Sequence, residues 1–154
     1  MIALLVALML SPAADAACVR VQTSVSGSSL EGLMWDGEPL EVLGLGCGVP
    51  ARYDYIVFRH KDRPGPMIKQ LWGQPGDILT VLDNGRFTIN GVEAVTPFGK
   101  PYYLLGAARS RFKRLDGPLD GYLLLGHPGS DDSARLGLIL ERDILGYVPK
   151  TSVD

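Results

Sequence analysis

Four serines, Ser24, Ser26, Ser28 and Ser29, crowd the segment SVSGSSLEGLMW that runs from Ser24 to Trp35. A free serine hydroxyl is a weak nucleophile and attacks a carbonyl only when a base removes its proton. The chain has two histidines, His60 and His127. The first ends an apolar run and the second precedes Pro128, and no G-x-S-x-G elbow accompanies either. Lysine is the other available base. In MIKQLWGQPGD, Lys69 stands among Met67, Ile68, Leu71 and Trp72. An exposed lysine, with a pKa of about 10.4, is almost wholly charged at pH 7. Burial among apolar side chains disfavours the charge and brings the neutral amine within reach. Without a partner, Lys69 reads as a strand-edge residue whose stem snorkels to water.

Those residues must be positioned by a scaffold, and the punctuation of the chain indicates which kind. The 154 residues suit one domain. Nearly half are apolar, and 19 Gly and 11 Pro favour turns over long helices. YDYIVFRH (53–60) reads as a strand, and DILTVLD and RFTING flank the hairpin signal DNG at Asp83–Gly85. GYLLLG (121–126) and LGLILE (136–141) read as buried strands around the polar loop HPGSDDSAR, and LGYVPK (145–150) as one more. Helical periodicity is weak past residue 12, with a short exception at Glu141–Leu145. The expectation is a mainly β chain, a compact folded or barrel-like antiparallel sheet, preceded by a short apolar segment.

Met1–Leu10 is an unbroken apolar run, shorter than the ~20 residues a spanning helix needs. With the small residues of SPAADAA behind it, the run reads as an export signal or as the remainder of a longer membrane anchor. The expected division is residues 1–17 as that segment and 18–154 as the folded domain. Both readings put the domain outside the cytoplasm. Cys18 and Cys47 are compatible there with one disulfide or with two buried thiols. A net charge of −2 excludes an overall field for nucleic acid. The local basic cluster RSRFKR (Arg109–Arg114) reads as a solvated loop, or as a contact for anionic headgroups if the domain sits on a membrane. Neither a CxxC nor a His/Cys cluster is present, so no metal and no cofactor is expected.

Taken together, the serine cluster and the lysine segment resemble the bacterial type I signal peptidases, Ser/Lys-dyad proteases. SGSS is followed about 40 residues later by an apolar-K-x-x-x-G-x-P-G-D pattern. DYIVFRH resembles the family's strand before the lysine, GQPGDILTVLDNGRFTINGVEA its G-x-P-G-D hairpin, and SDDSARLG its late S-x-D-S-R-x-x-G segment. The matches run from about Val25 to Gly137. Departures include the missing proline after the serines, GHPGS in place of the G-D-N pattern, and Arg135, which follows Ala134 one residue late. GLMW and the H-x-x-S of His127–Ser130 resemble the conjugative-transfer branch, the TraF-type peptidases.

The resemblance implies a signal-peptidase-type β fold and a membrane-associated serine endopeptidase at the inner membrane, its catalytic domain facing the periplasm. It implies an exported or pilin-like precursor as substrate, the membrane surface as a contact, and a conjugation or secretion apparatus as a further partner. It makes Ser28 the nucleophile, Lys69 the base, Ser26 an oxyanion donor beside the Ser28 backbone N–H, Ser130 the residue that orients the lysine amine, and Asp132 the support of the local loop. The register is one residue from an alternative. SGS and the distance to GLMW favour Ser28, whereas counting back from the DGE at Asp36–Glu38 favours Ser29. Leu33, Met34 and Trp35 are candidates for an apolar face against the membrane, or for the core. Two rivals stand beside this reading. A LexA-like self-cleaving protease would need a DNA-binding domain, for which the chain lacks the length. An inactive β domain that binds partners in a secretion or conjugation complex would not need Ser28 or Lys69.

Overall fold

The computed structural model describes residues 17–153. The expected apolar segment therefore lies outside the described residues, apart from Ala17. Among the described residues, ten strands form two antiparallel sheets. The larger has the order β1–β2–β10–β3–β4–β9, with β1 Arg20–Ser24, β2 Pro39–Leu43, β3 Tyr55–Phe58, β4 Met67–Gly73, β9 Leu123–Leu125 and β10 Ile144–Val148. The smaller has the order β7–β6–β5–β8, with β5 Ile78–Val81, β6 Phe87–Ile89, β7 Val92–Glu93 and β8 Gly117–Pro118. The mainly β expectation holds, and the DNG hairpin joins β5 to β6 as read.

β4 carries the site lysine because of its place in the larger sheet. It is hydrogen-bonded on one side to β3 and on the other to β9, and Lys69 through Gly73 are all buried. Side chains alternate across a strand, so Lys69 shares a face with Met67 and Leu71 and lies opposite Ile56 in the register. That face belongs to a cluster of Ile56, Phe58, Leu71, Leu124 and Tyr147. The smaller sheet packs its own core, in which Phe87 meets Tyr102 and Phe112 edge to face.

Two local expectations are corrected, and two open ones are resolved. RSRFKR is not a loop: it lies within helix α1, Gly106–Leu115, whose Phe112 is fully buried. Ala108 and Leu115, four residues before Phe112 and three after it, pack against the same core, a stripe at helical spacing that the charges between them obscure. LGLILE is not a strand: Ser133–Leu136 forms the one-turn helix α2, and only Ile139 bridges back, to Tyr122. Glu141–Asp143 is a 3-10 turn. Met34 is fully buried in the core and Leu33 is half-buried, leaving Trp35 as the exposed member of that trio.

β1 escaped the sequence reading because all five of its residues are exposed. It is held by pairing with β2 over five residues and by the Cys18–Cys47 disulfide at its start, which bonds to the 3-10 turn Leu45–Cys47. Its far end leads straight into the serine segment.

Candidate active site

The chain leaves β1 at Ser24, buries Val25, and turns through Ser26–Ser29 with Gly27 at φ +92°. The Gly27 N–H donates to Asp36 Oδ1 at 2.8 Å, which pins the turn to the loop that follows it. Leu30 and Met34 anchor the far side in the core. Between these anchors Ser28 is exposed and Ser29 is half-buried.

Lys69 reaches Ser29. Its ammonium nitrogen donates to Ser29 Oγ at 2.8 Å and to the Ile68 carbonyl at 3.0 Å. The expectation that Ser28 faces the lysine is thus corrected by one residue: neighbouring side chains in the turn point apart, and the inward one belongs to Ser29. Lys69 is only 4% exposed. Burial pulls its pKa below the ordinary lysine value, against the smaller opposing attraction of Asp132 and then Asp131. The result is a hydroxyl in hydrogen-bond contact with an amine biased toward its neutral form.

The late loop closes the other side. The His127 N–H donates to the Ser29 carbonyl at 2.8 Å, and His127 Nε2–H donates to the Glu31 carbonyl at 2.7 Å. Gly126 permits this approach: a Cβ there would lie 2.6 Å from the Ser29 carbonyl oxygen, 2.9 Å from Lys69 Cδ and 3.0 Å from Ser130 Oγ. Ser130 stands beside the lysine stem, but its hydroxyl donates to the His127 carbonyl at 2.7 Å and not to the amine, a correction to the orienting contact expected of it. The tight turn from His127 to Ser130 offers a nearer acceptor.

Asp132 supports this loop from beneath and is 1% exposed. It accepts from the Tyr102 hydroxyl at 2.8 Å, the Gly126 N–H at 3.2 Å and the Ala134 N–H at 3.0 Å, the last capping α2. Burial pushes its carboxyl up to about 6, against the stabilising effect of those donors and of Lys69. Tyr102 had no signal in the sequence that linked it to Asp132. Asp131, next to it, is gripped by Arg63 through Nε at 2.6 Å and Nη2 at 3.0 Å, and by Arg135 at 3.3 Å. Arg135 therefore lies at the rim, and its Nη1 also reaches the Gly129 carbonyl at 3.3 Å.

Two depressions meet at Ser26, Ser29, Met67 and Lys69. One, about 640 Å3, runs under His127–Asp131 and Phe98, with Ser28 on its border. The other, about 420 Å3, runs between the end of β1 and the start of β4 over Leu40, Val57, Pro66 and Ile68. Among the described residues, no group of three or more His, Cys, Asp or Glu side chains could hold a metal ion.

A serine hydroxyl bonded to a buried lysine amine, at the junction of two open clefts in a β scaffold, is what a serine peptidase with a lysine base requires. Comparison with known proteins gives the family. A profile of the signal peptidase family, peptidase S26, matches residues 1–151, and the chain belongs to that family of serine endopeptidases. Among solved structures, a signal peptidase I from Enterococcus faecalis V583 is 25% identical, with 66% of this chain and 97% of that one covered and a TM-score of 0.46. No curated protein matches the chain.

Proposed function

We propose that this chain is a membrane-associated serine endopeptidase of signal-peptidase type whose catalytic pair is Ser29 and Lys69. The observation that carries the assignment is the 2.8 Å contact between the half-buried Ser29 hydroxyl and the buried Lys69 amine where the two clefts meet. Neutral Lys69 takes the Ser29 proton as Oγ attacks the scissile carbonyl, giving a tetrahedral oxyanion. The protonated amine then returns that proton to the departing backbone nitrogen, leaving an acyl-enzyme. A water activated by the same amine hydrolyses the ester and restores both groups. The Ser29 backbone N–H, which donates to no protein group among the described residues, and the Ser26 hydroxyl are the proposed oxyanion donors. Asp132 acts through the loop it braces and Ser130 through the turn it closes; both are positioning residues.

The substrate is an exported precursor polypeptide with small residues before the cut. The apolar groove over Leu40, Val57, Pro66 and Ile68 suits such residues and ends at the dyad. Residues 1–17 as a membrane-proximal segment, a catalytic domain on the periplasmic side of the inner membrane, and contact with the membrane surface complete the reading. The Cys18–Cys47 disulfide supports an oxidising compartment. Among the described residues, no helix is long and apolar enough to cross a membrane. The similarity of GLMW and H-x-x-S to the TraF-type branch supports a pilin-like substrate within a conjugation apparatus. His127, the first residue of H-x-x-S, bonds to the carbonyl of Glu31, the residue just before GLMW.

The test is cleavage of a synthetic precursor with an Ala-x-Ala site by the purified protein. Cleavage after the second Ala, absent from the Lys69→Met protein, is the expected result. A protein that leaves every such precursor intact while folded is instead the partner-binding β domain.

A further inference from the structure

Phe98 is 59% exposed and sits at the tip of the hairpin that continues from β7, where the Gly99 N–H donates to the Thr96 carbonyl and the Thr96 N–H to the Lys100 carbonyl. A phenyl ring on a loop tip costs the folded chain apolar exposure, yet this one is held in a defined position. Its centroid lies 4.5 Å from that of the His127 imidazole, at a 48° tilt. On the serine turn, Gly32 makes room for it: a Cβ at that position would lie 2.8 Å from Phe98 Cδ1. His127 is fixed in turn by its bonds to the Ser29 and Glu31 carbonyls. The ring therefore packs on a side chain whose own backbone N–H holds the Ser29 carbonyl, and it lines the larger cleft with much of its surface exposed.

The two clefts differ in chemistry. The groove between β1 and β4 has Leu40, Val57, Pro66, Met67 and Ile68 along it, with uncharged Thr23 and Ser24 at the β1 edge, and fits the small apolar residues before the cut. The cleft under His127 carries Glu31, Asp131 and Arg135 along with Phe98, which suits the polar start of a mature chain with an apolar anchor in it. Because the clefts join at Ser29 and Lys69, a bound chain that fills the groove on one side of the scissile bond continues into the other.

We propose that Phe98, backed by His127, is a specificity-determining residue that binds an apolar side chain within the first two residues after the scissile bond. This rests on the dyad reading above. A side chain packed on a fixed aromatic ring adds a contact that glycine cannot make, and one such apolar contact is worth on the order of ten-fold in discrimination.

The experiment uses peptides that share an Ala-x-Ala site and carry Leu, Phe or Gly at the first or second position after it. Binding is measured to the folded Lys69→Met protein, which cannot consume them, and to the same protein with Phe98→Ala or Phe98→Tyr. The expected result is roughly ten-fold tighter binding of one Leu or Phe series than of the Gly peptide. That preference should be lost with Phe98→Ala and kept with Phe98→Tyr. Equal binding of all peptides, or a preference unchanged by Phe98→Ala, overturns the proposal. Cleavage of the same peptides by the unmodified protein is scored separately. A Phe98-dependent binding preference without cleavage would sink the peptidase reading and leave the subsite standing.

Discussion

The Lys69 amine and the Ser29 hydroxyl meet at 2.8 Å although 40 residues separate them in the chain, and the immediate neighbour Ser28 faces solvent. Every catalytic expectation depends on that one-residue distinction. It is set by the turn that begins at Gly27 and by the Ser29 carbonyl, which His127 holds in place.

Ser29→Ala should therefore abolish cleavage, and Ser28→Ala should retain most of it. Ser26→Ala should fall between, with a loss of roughly 10²–10³ in kcat if its hydroxyl serves the oxyanion. Steady-state kinetics on one precursor peptide decide the matter. An active Ser29→Ala protein beside a dead Ser28→Ala protein would return the nucleophile to Ser28.

Lys69→Met should reduce kcat by at least the 10²–10⁴ expected for a lost general base, and Lys69→Arg equally, since guanidinium stays charged. In the unmodified protein, kcat/KM should rise with pH through an apparent pKa below that of free lysine. Stability follows the same linkage. The folded state holds this proton less tightly than the unfolded chain, so stability rises with pH up to the ordinary lysine range. Lys69→Met removes the cost of burying the charge. Its melting temperature should exceed that of the unmodified protein at neutral pH, by a margin that shrinks as pH rises. A margin that grows with pH would contradict the assigned shift.

The two candidate partners, a lysine inside an apolar run and a cluster of serines near glycine, were legible in the sequence through the resemblance to the signal peptidases and not from either stretch alone. Their register was not, since the choice between Ser28 and Ser29 depends on a contact with His127 almost 100 residues later. The β5–β6 hairpin was legible from Asp83–Gly85, where local turn chemistry suffices. Helix α1 was hidden because three core contacts, Ala108, Phe112 and Leu115, are interspersed with four basic residues. β1 had no burial pattern to read, and LGLILE has strand composition but follows a capped helical turn that ends at Leu136. Phe98 and Tyr102 carry no motif; only the tertiary fold brings them to the dyad loop.

Asp132→Asn isolates the electrostatic part of the loop's support. The carboxylate raises the proton affinity of Lys69, so its neutralisation should move the acid limb of the pH–kcat/KM profile to lower pH. The amide can also satisfy fewer of the donors from Tyr102, Gly126 and Ala134, and an NH2 against a buried N–H costs about 1–3 kcal/mol. A lower denaturation midpoint should accompany the shifted profile. A limb that stays in place while stability falls would make the role of Asp132 purely structural.

The Cys18–Cys47 disulfide closes a loop over a sequence separation of 29 and fastens the start of a strand with no buried residue. Loop-closure entropy alone gives such a bridge roughly 3–4 kcal/mol. A protein with both Cys18→Ser and Cys47→Ser should unfold at a correspondingly lower urea concentration. Reductant should lower the midpoint of the unmodified protein to the same value and leave the double variant unchanged. Because β1 runs from this anchor to Ser24 and leads directly into the serine turn, the loss should be felt at the dyad as well. The double variant should lose activity on warming before its β sheets unfold, measured by cleavage rate against far-ultraviolet circular dichroism. Loss of both signals at one temperature would mean that pairing with β2 holds β1 without help from the bridge.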